Sequence, residues 1–219
     1  MRPKVWLFDL DDTLHHASAQ IFPQQYIKMH RFIEERFALT PEQASARRRE
    51  LFLRWGTTGF GLFREHGVSP IEFAEYVHTD AALESWLSWR EADWQLLKKL
   101  PGRKVLLTNA PAFYTERVLR ELGHGHVFER IVSFNQMRFA GRFRPKPDTR
   151  MLRMLCAQLR VHPSATVLVE DTIGHLKAAR SLGMRTVLTR AYSAHAKALR
   201  GRPAFLHARI AQLQEITHL

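Results

Sequence analysis

Val5-Trp6-Leu7-Phe8-Asp9-Leu10-Asp11-Asp12-Thr13-Leu14 decides how this chain folds. A short apolar run reads as a buried strand, and it emerges into carboxylates at its C-terminal end, where open α/β sheets place their ligands. Residues i and i+2 of an extended segment point to the same face, so Asp9 and Asp11 can address one small volume. One carboxylate can attack an electrophile while its neighbour moves a proton. Crowded carboxylates also invite a divalent cation that prefers oxygen ligands. On this segment alone, an Asp-rich turn closing a strand reads equally well.

Working outward, 219 residues with 45% hydrophobic content hold one large domain, or one domain carrying an insertion. No apolar stretch approaches the ~18 residues needed to span a bilayer. Met1-Arg2-Pro3-Lys4 leads straight into the first strand, too short a lead for a signal-peptide core. The single cysteine, Cys156, excludes an intrachain disulfide framework and fits a reducing, cytoplasmic setting. The net charge of +12 raises nucleic acid as a partner, but the basic residues are scattered. Arg47-Arg48-Arg49 sits in a helical pattern as a solvated face, and Arg138, Arg142, Arg144 and Lys146 are spaced through a loop. A positive field of this kind also draws a small anionic substrate.

Five apolar runs read as parallel strands: Val5–Phe8, Val105–Thr108, Ile131–Ser133, Val167–Val169 and Thr186–Leu188. Helical patterns over Tyr114–Leu122, Thr149–Leu159 and Ile173–Leu182 fall among the later ones, and Gly123 and Gly183 supply stop signals. This alternation predicts a doubly wound parallel sheet. Residues 17–97 break the rhythm. Phe32, Phe37, Leu51, Leu53, Trp55, Phe60, Phe63, Phe73 and Tyr76 recur at helical spacing, and Pro41, Pro70 and several glycines divide the stretch into four or five helices. The expected organisation is an α/β core over 1–16 and 98–219 with an all-helical insert over 17–97, placed as a cap above the first strand's end. Phe205–Ile216 reads either as an edge strand plus helix or as one helix.

The later strand ends repeat the pattern of the first. Val105-Leu106-Leu107 runs into Thr108-Asn109, a hydroxyl and an amide suited to phosphate oxygens. Val167-Leu168-Val169 runs into Glu170-Asp171, a second acidic pair. Between them, Lys146 stands between Pro145 and Pro147, which restrict the backbone around it. Such a lysine can balance nearby carboxylates and neutralise incoming phosphate oxygens. Singly these are ordinary caps and loops; their joint occurrence at successive strand ends suits one site.

In order, Phe8-Asp9-Leu10-Asp11-Asp12-Thr13-Leu14, Leu107-Thr108-Asn109, Lys146-Pro147 and Glu170-Asp171-Thr172 resemble the four motifs of the haloacid dehalogenase-like hydrolase superfamily. The resemblance implies a Rossmann-like core with a helical C1-type cap. It implies Asp9 as the nucleophile that forms an aspartyl-phosphate, and Asp11 as general acid and then base. Thr108 and the Asn109 backbone would hold the phosphoryl group, with Lys146 stabilising it. Mg²⁺ would sit on the Asp9 carboxylate, the Asp11 carbonyl and Asp171, with Glu170 direct or through water. An acid at position 11 favours an alkoxide leaving group over a halide, hence phosphatase over dehalogenase. Asp12 stands where many relatives have glycine, and His175 falls near a position often filled by Asp or Asn; it reads as a surface histidine.

Trp55-Gly56-Thr57-Thr58-Gly59-Phe60-Gly61-Leu62 with Glu65-His66-Gly67-Val68, and Leu100-Pro101-Gly102-Arg103-Lys104, are similar to stretches of pyrimidine 5'-nucleotidases in that superfamily. This implies a nucleoside 5'-monophosphate substrate, with Thr57 and Thr58 as candidates for its ribose or base. A helix junction where glycine permits a bend is the plain alternative. A sugar-phosphate or phosphoglycolate-type phosphatase, a phosphoglucomutase-like enzyme, and a non-catalytic basic binding module stand as other readings. The expected partner is a small phosphate ester, with no membrane or nucleic-acid association, and the chain acts as a monomer or homodimer.

Overall fold

A computed structural model describes residues 5–201 and 203–218, so the lead segment Met1–Lys4 lies outside the described residues. The chain forms two compact units, Met1–Ser18 with Leu87–Leu219, and Ala19–Trp86.

The first unit is built on a six-stranded parallel sheet. Its strands are β1 (Val5–Phe8), β2 (Arg103–Leu107), β3 (Arg130–Val132), β6 (Thr166–Glu170), β7 (Arg185–Thr189) and β8 (Ala208–Ile210), in the order β3-β2-β1-β6-β7-β8. All four residues of β1 are buried, as befits a central parallel strand covered on both faces. Val5 pairs with Arg103 on one side and Thr166 on the other, so β1 is flanked by β2 and β6. The strand order reverses at β1, and the crevice there is where such sheets take ligands. β4 (Arg138–Phe139) and β5 (Arg142–Phe143) form a small antiparallel hairpin within the arginine-bearing loop.

The alternation of β1 directs its side chains to two cores. Val5 and Leu7 join Val105, Leu107, Leu168 and Leu188 beneath α8 (Thr149–Gln158) and α9 (Ile173–Ser181), which contribute Met151, Leu155 and Leu176. Trp6 and Phe8 face the other way, where Phe8 meets Phe128 edge-on at 6.4 Å and Phe128 meets Trp94 at 6.1 Å. Each such fully buried large side chain contributes roughly 1.5–3 kcal/mol. α7 (Ala112–Leu122) follows β2, and α10 (Ala194–Ala198) follows β7. The C-terminal segment resolves as edge strand β8 followed by a short 3-10 stretch, Leu213–His218.

The second unit holds α1 (Ala17–Phe37) from its third residue, then α2 (Pro41–Trp55), α3 (Thr58–His66), α4 (Pro70–His78) and α5 (Leu83–Trp86). Prolines open α2 and α4, where the missing N–H is no loss. Thr40 and Gln43 cap α2 reciprocally, and Gly56 at φ 83 closes it in the left-handed region that glycine tolerates. Phe32, Ile33, Leu51, Leu62, Val68, Phe73 and Val77 form the unit's own core. Leu53 departs from expectation: it is 71% exposed, on the far face of α2.

The insert expected at 17–97 is shorter in the structure, because α6 (Glu91–Lys99) groups with the sheet unit. Trp94 and Leu97 are fully buried, and α6 packs on the C-terminal 3-10 stretch. Helical period alone does not tell which core a helix covers. Among the described residues no helix is long and apolar enough to cross a membrane.

The glycines of α3 are packing devices. A Cβ on Gly59 would lie 2.7 Å from the Phe73 ring, and one on Gly61 would lie 2.9 Å from Leu51 Cβ and 3.0 Å from Trp55 Cδ1. Because Leu51 Cβ is fixed to its helix backbone, α2 and α3 must separate to admit a methyl group. Gly61→Ala is therefore expected to cost about 1–3 kcal/mol, read as a lower urea midpoint at unchanged slope. A variant as stable as the parent would show that the helix pair can yield.

Candidate active site

Three neighbouring strand ends supply the polar groups. Asp9 directly follows β1, and its N–H still donates to Val169 O at 3.1 Å, so the β1–β6 register fixes where its side chain starts. Thr108 follows β2 and is likewise tethered, donating to Val132 O at 3.0 Å. Glu170 is the last residue of β6, with Asp171 beside it.

Lys146 joins them. Its side chain is 1% exposed, and its Nζ donates to Asp9 Oδ1 at 2.6 Å and to Glu170 Oε2 at 2.7 Å. The lysine is placed by a reciprocal latch. Asn109 Nδ2 donates to Lys146 O, and Lys146 N donates to Asn109 Oδ1, both at 2.9 Å. The carboxamide of Asn109 thus couples the end of β2 to the proline-flanked loop. Thr108 Oγ1 accepts from Ala110 N at 3.0 Å, and the residue is 1% exposed.

Glu170 is fully buried and saturated. Its Oε2 takes Lys146 and His175 Nδ1 (2.9 Å), while Oε1 accepts from the backbone N–H groups of Asp171 and Thr172, each at 3.1 Å. His175, expected on the surface, has a side chain only 12% exposed and packs against this carboxylate. The first turn of α9 brings it back over the end of β6, which sequence position alone does not disclose.

Asp11 lies in the turn after β1. Its Oδ1 accepts from Tyr114 Oη at 2.7 Å and from His15 Nε2 at 2.9 Å. Asp12 adopts φ 57, the left-handed region that glycine occupies freely and aspartate tolerates better than most residues. That accounts for a position where relatives carry glycine. Its carboxylate accepts from Ser18 N at 2.8 Å and from the Ser18 hydroxyl, tying the turn to the start of α1.

Charge in this cluster is unevenly held. Burial opposes the ammonium of Lys146, but Asp9 and Glu170 outweigh it and raise its pKa. Burial would also raise Glu170, yet Lys146 and His175 override it and hold the carboxyl well below the usual range. Asp9 is pushed well up, by burial and then by the charge of Glu170, with Lys146 opposing. Asp171 is raised for the same reasons, burial first and then Glu170 and Asp9. Burial lowers His175 below the ordinary histidine range against the pull of Glu170, so it meets Glu170 as a neutral donor. Tyr114 is held far above the usual phenol value by burial and by Asp11, and so remains a donor.

Carboxylate oxygens of Asp9, Glu170 and Asp171 lie within 4.8 Å of one another. Three crowded carboxylates against one ammonium, two of them pushed toward neutrality, form a donor set that a hard divalent cation fits. Asp9 and Asp171 offer oxygens most directly, since both oxygens of Glu170 already accept donors. In the helical unit, Thr57 caps α3 through its hydroxyl, accepting from Phe60 N at 3.2 Å, and Thr58 is buried.

Asp9, Thr108, Asn109, Glu170 and Asp171 thus stand at the C-terminal ends of three adjacent strands, with Lys146 bonded to Asp9, Glu170 and Asn109 and with Asp11 in the turn after β1. The contributions of His15, Tyr114 and His175 are new from the structure. His15 sits four residues past Asp11, and Tyr114 reads in sequence as an ordinary residue of its helix.

Residues 3–183 match the family model described as a haloacid dehalogenase-like hydrolase. Solved structures of similar fold include a HAD phosphatase from Thermococcus onnurineus, 17% identical, covering 98% of this chain and 96% of its own with a TM-score of 0.66. The HAD-hydrolase YfnB from Bacillus subtilis, bound to magnesium, is 16% identical over 100% of this chain and 98% of its own, TM-score 0.64. CbbY from Rhodobacter sphaeroides, in complex with phosphate, is 19% identical over 98% and 96%, TM-score 0.64. With a family match over most of its length, this chain belongs to the haloacid dehalogenase-like hydrolases.

Proposed function

We propose that this hydrolase is a Mg²⁺-dependent phosphomonoesterase that works through an aspartyl-phosphate on Asp9. The observation that carries the reading is the buried Lys146 ammonium, 2.6 Å from Asp9, with a second aspartate two residues beyond. Asp9 attacks phosphorus, and the bond to the ester oxygen breaks as Asp11 delivers a proton to the leaving alcohol. Water then attacks the phosphorus, Asp11 takes its proton, and phosphate departs to regenerate Asp9. Thr108 and the Asn109 backbone hold phosphoryl oxygens, and Lys146 offsets their charge while keeping Asp9 in place. When bound, Mg²⁺ supplies positive charge for the phosphoryl oxygens; Asp9, the Asp11 carbonyl and Asp171 would hold it, with Glu170 contributing through water. A halide leaves without a proton, so a carboxylate at position 11 supports phosphate esters over haloacids.

The helical unit serves in this reading as the cap. The likeness of Trp55–Leu62 to pyrimidine 5'-nucleotidases supports a nucleoside 5'-monophosphate as substrate, with Thr57 and Thr58 as its candidate contacts. Phosphate release screened across nucleotides and sugar phosphates tests this choice; a marked preference for sugar phosphates would overturn it.

Asp9→Asn is expected to lower p-nitrophenyl phosphate hydrolysis at least about 10³-fold with the circular dichroism spectrum unchanged. Wild-type rates in that variant would rule out the nucleophile. Asp11→Asn should cost about 10²–10⁴-fold on alkyl phosphates and less on p-nitrophenyl phosphate, whose leaving group needs little protonation. Equal losses on the two would contradict its role as acid.

EDTA should abolish turnover and Mg²⁺ restore it. Asp9 and Asp171 hold protons above the ordinary carboxylate range, so Mg²⁺ must displace them on binding. Calorimetric Mg²⁺ affinity should accordingly weaken as pH falls. Turnover indifferent to chelation, or an affinity flat with pH, would remove the metal from the account.

A further inference from the structure

The general acid of the proposed reaction is held by two residues that belong to none of the four motifs. Tyr114, in the first turn of α7, is fully buried, yet its hydroxyl reaches Asp11 Oδ1 at 2.7 Å. A phenylalanine would fill the same apolar space, so the hydroxyl is explained by its acceptor. His15 is also fully buried, and its Nε2 lies 2.9 Å from the same oxygen, with a backbone bridge joining Asp11 and His15. Its other nitrogen, Nδ1, is buried without a partner among the described residues, so the Asp11 contact is what sets the ring. Asp11 itself is the exposed member, at 17% of its side chain.

We propose that Tyr114 and His15 are positioning residues that clamp Asp11 by Oδ1 and so hold its carboxyl group where it gives and takes the proton. The inference rests on the phosphomonoesterase reading and deepens it. An oxygen accepting two donors works equally as half of a carboxylate and as the carbonyl of the neutral acid. The clamp therefore holds in both states that the reaction requires of Asp11. In the first step the carboxyl group of Asp11 gives its proton to the ester oxygen as the P–O bond breaks; in the second, its carboxylate receives a proton from the attacking water. Proton transfer needs the heavy atoms within about 2.6–3.2 Å, which a carboxylate free to rotate meets only part of the time. Because α7 follows directly from Thr108 and Asn109, the segment expected to bind phosphate also orients the group that protonates the leaving alcohol.

The test compares kcat/KM for glycerol phosphate with that for p-nitrophenyl phosphate, since this parameter reports the step that breaks the ester bond. Tyr114→Phe is expected to lower the ratio about tenfold, a fraction of what a general acid supplies. In the Asp11→Asn background it should lower the ratio no further, because residues acting through one another are not additive. His15→Asn, which removes the Nε2 donor, should also lower the ratio, and His15→Gln, whose amide can reach the Nε2 position, should restore it. The His15 pair decides the matter should Tyr114→Phe fail to fold. Equal losses on both esters, an additive loss in the Asp11→Asn background, or identical behaviour of the two His15 variants would overturn the clamp alone. A wild-type protein that hydrolyses neither ester would overturn the phosphomonoesterase reading and the clamp with it.

Discussion

An ammonium group cannot be left alone in a protein interior, and the arrangement around Lys146 follows from that constraint. Its side chain is 1% exposed, and two carboxylates, Asp9 and Glu170, lie within hydrogen-bonding distance. Desolvating such a set costs several kcal/mol per ion, and only close geometry with further hydrogen bonds offsets it. Glu170 supplies those bonds from two backbone amides and His175, and the Lys146 backbone is fixed by Asn109. Removing one member strands another's charge, at about 3–5 kcal/mol by the usual cost of breaking a buried pair. A protein seeking stability alone would fill this space with leucine. Retaining the ions there ties the local structure to chemistry.

The sheet order explains why these residues can meet. Asp9 and Glu170 sit on neighbouring strands in register, since Phe8 pairs with Val169 and the following residues emerge together. Thr108 leaves the strand on the opposite side of β1, where Phe8 pairs with Leu106. Parallel pairing therefore carries three chain segments, separated by about a hundred and by about sixty residues, to the C-terminal end of the sheet. Their side-chain origins are set by backbone hydrogen bonds, which position them more tightly than a loop would.

The residues differ in how openly the sequence declares them. β1 is legible because a strand buried on both faces must be apolar throughout, and the change to aspartate is abrupt. The strand-end groups follow, since their positions derive from strands that composition reveals. A helical period marks the apolar face of α6 without saying what covers it, and Trp94 packs beside Phe128. Leu53 likewise matches a helical pattern yet stands exposed on α2. His175 and Tyr114 were opaque for a different reason. Their roles depend on where a helix starts relative to a strand end, to within one turn. Local propensity fixes helix ends only to a few residues, so it cannot choose which side chain looks back into the site.

Asp11 and Asp9 illustrate how two identical side chains, one residue apart, acquire different duties. Asp9 lies deep, facing a buried ammonium, and its neighbours constrain it to one place. Asp11 stands partly in solvent and accepts from Tyr114 and His15. A phenol hydroxyl such as that of Tyr114 orients a carboxylate without the strong preference for its charged form that an ammonium imposes. A group that must alternate between acid and base is better served by such a partner, because neither state is locked. A group that must stay in line with phosphorus is better served by a fixed charge close at hand. The environments therefore separate the nucleophile from the proton carrier even though the chain places the same residue at both positions.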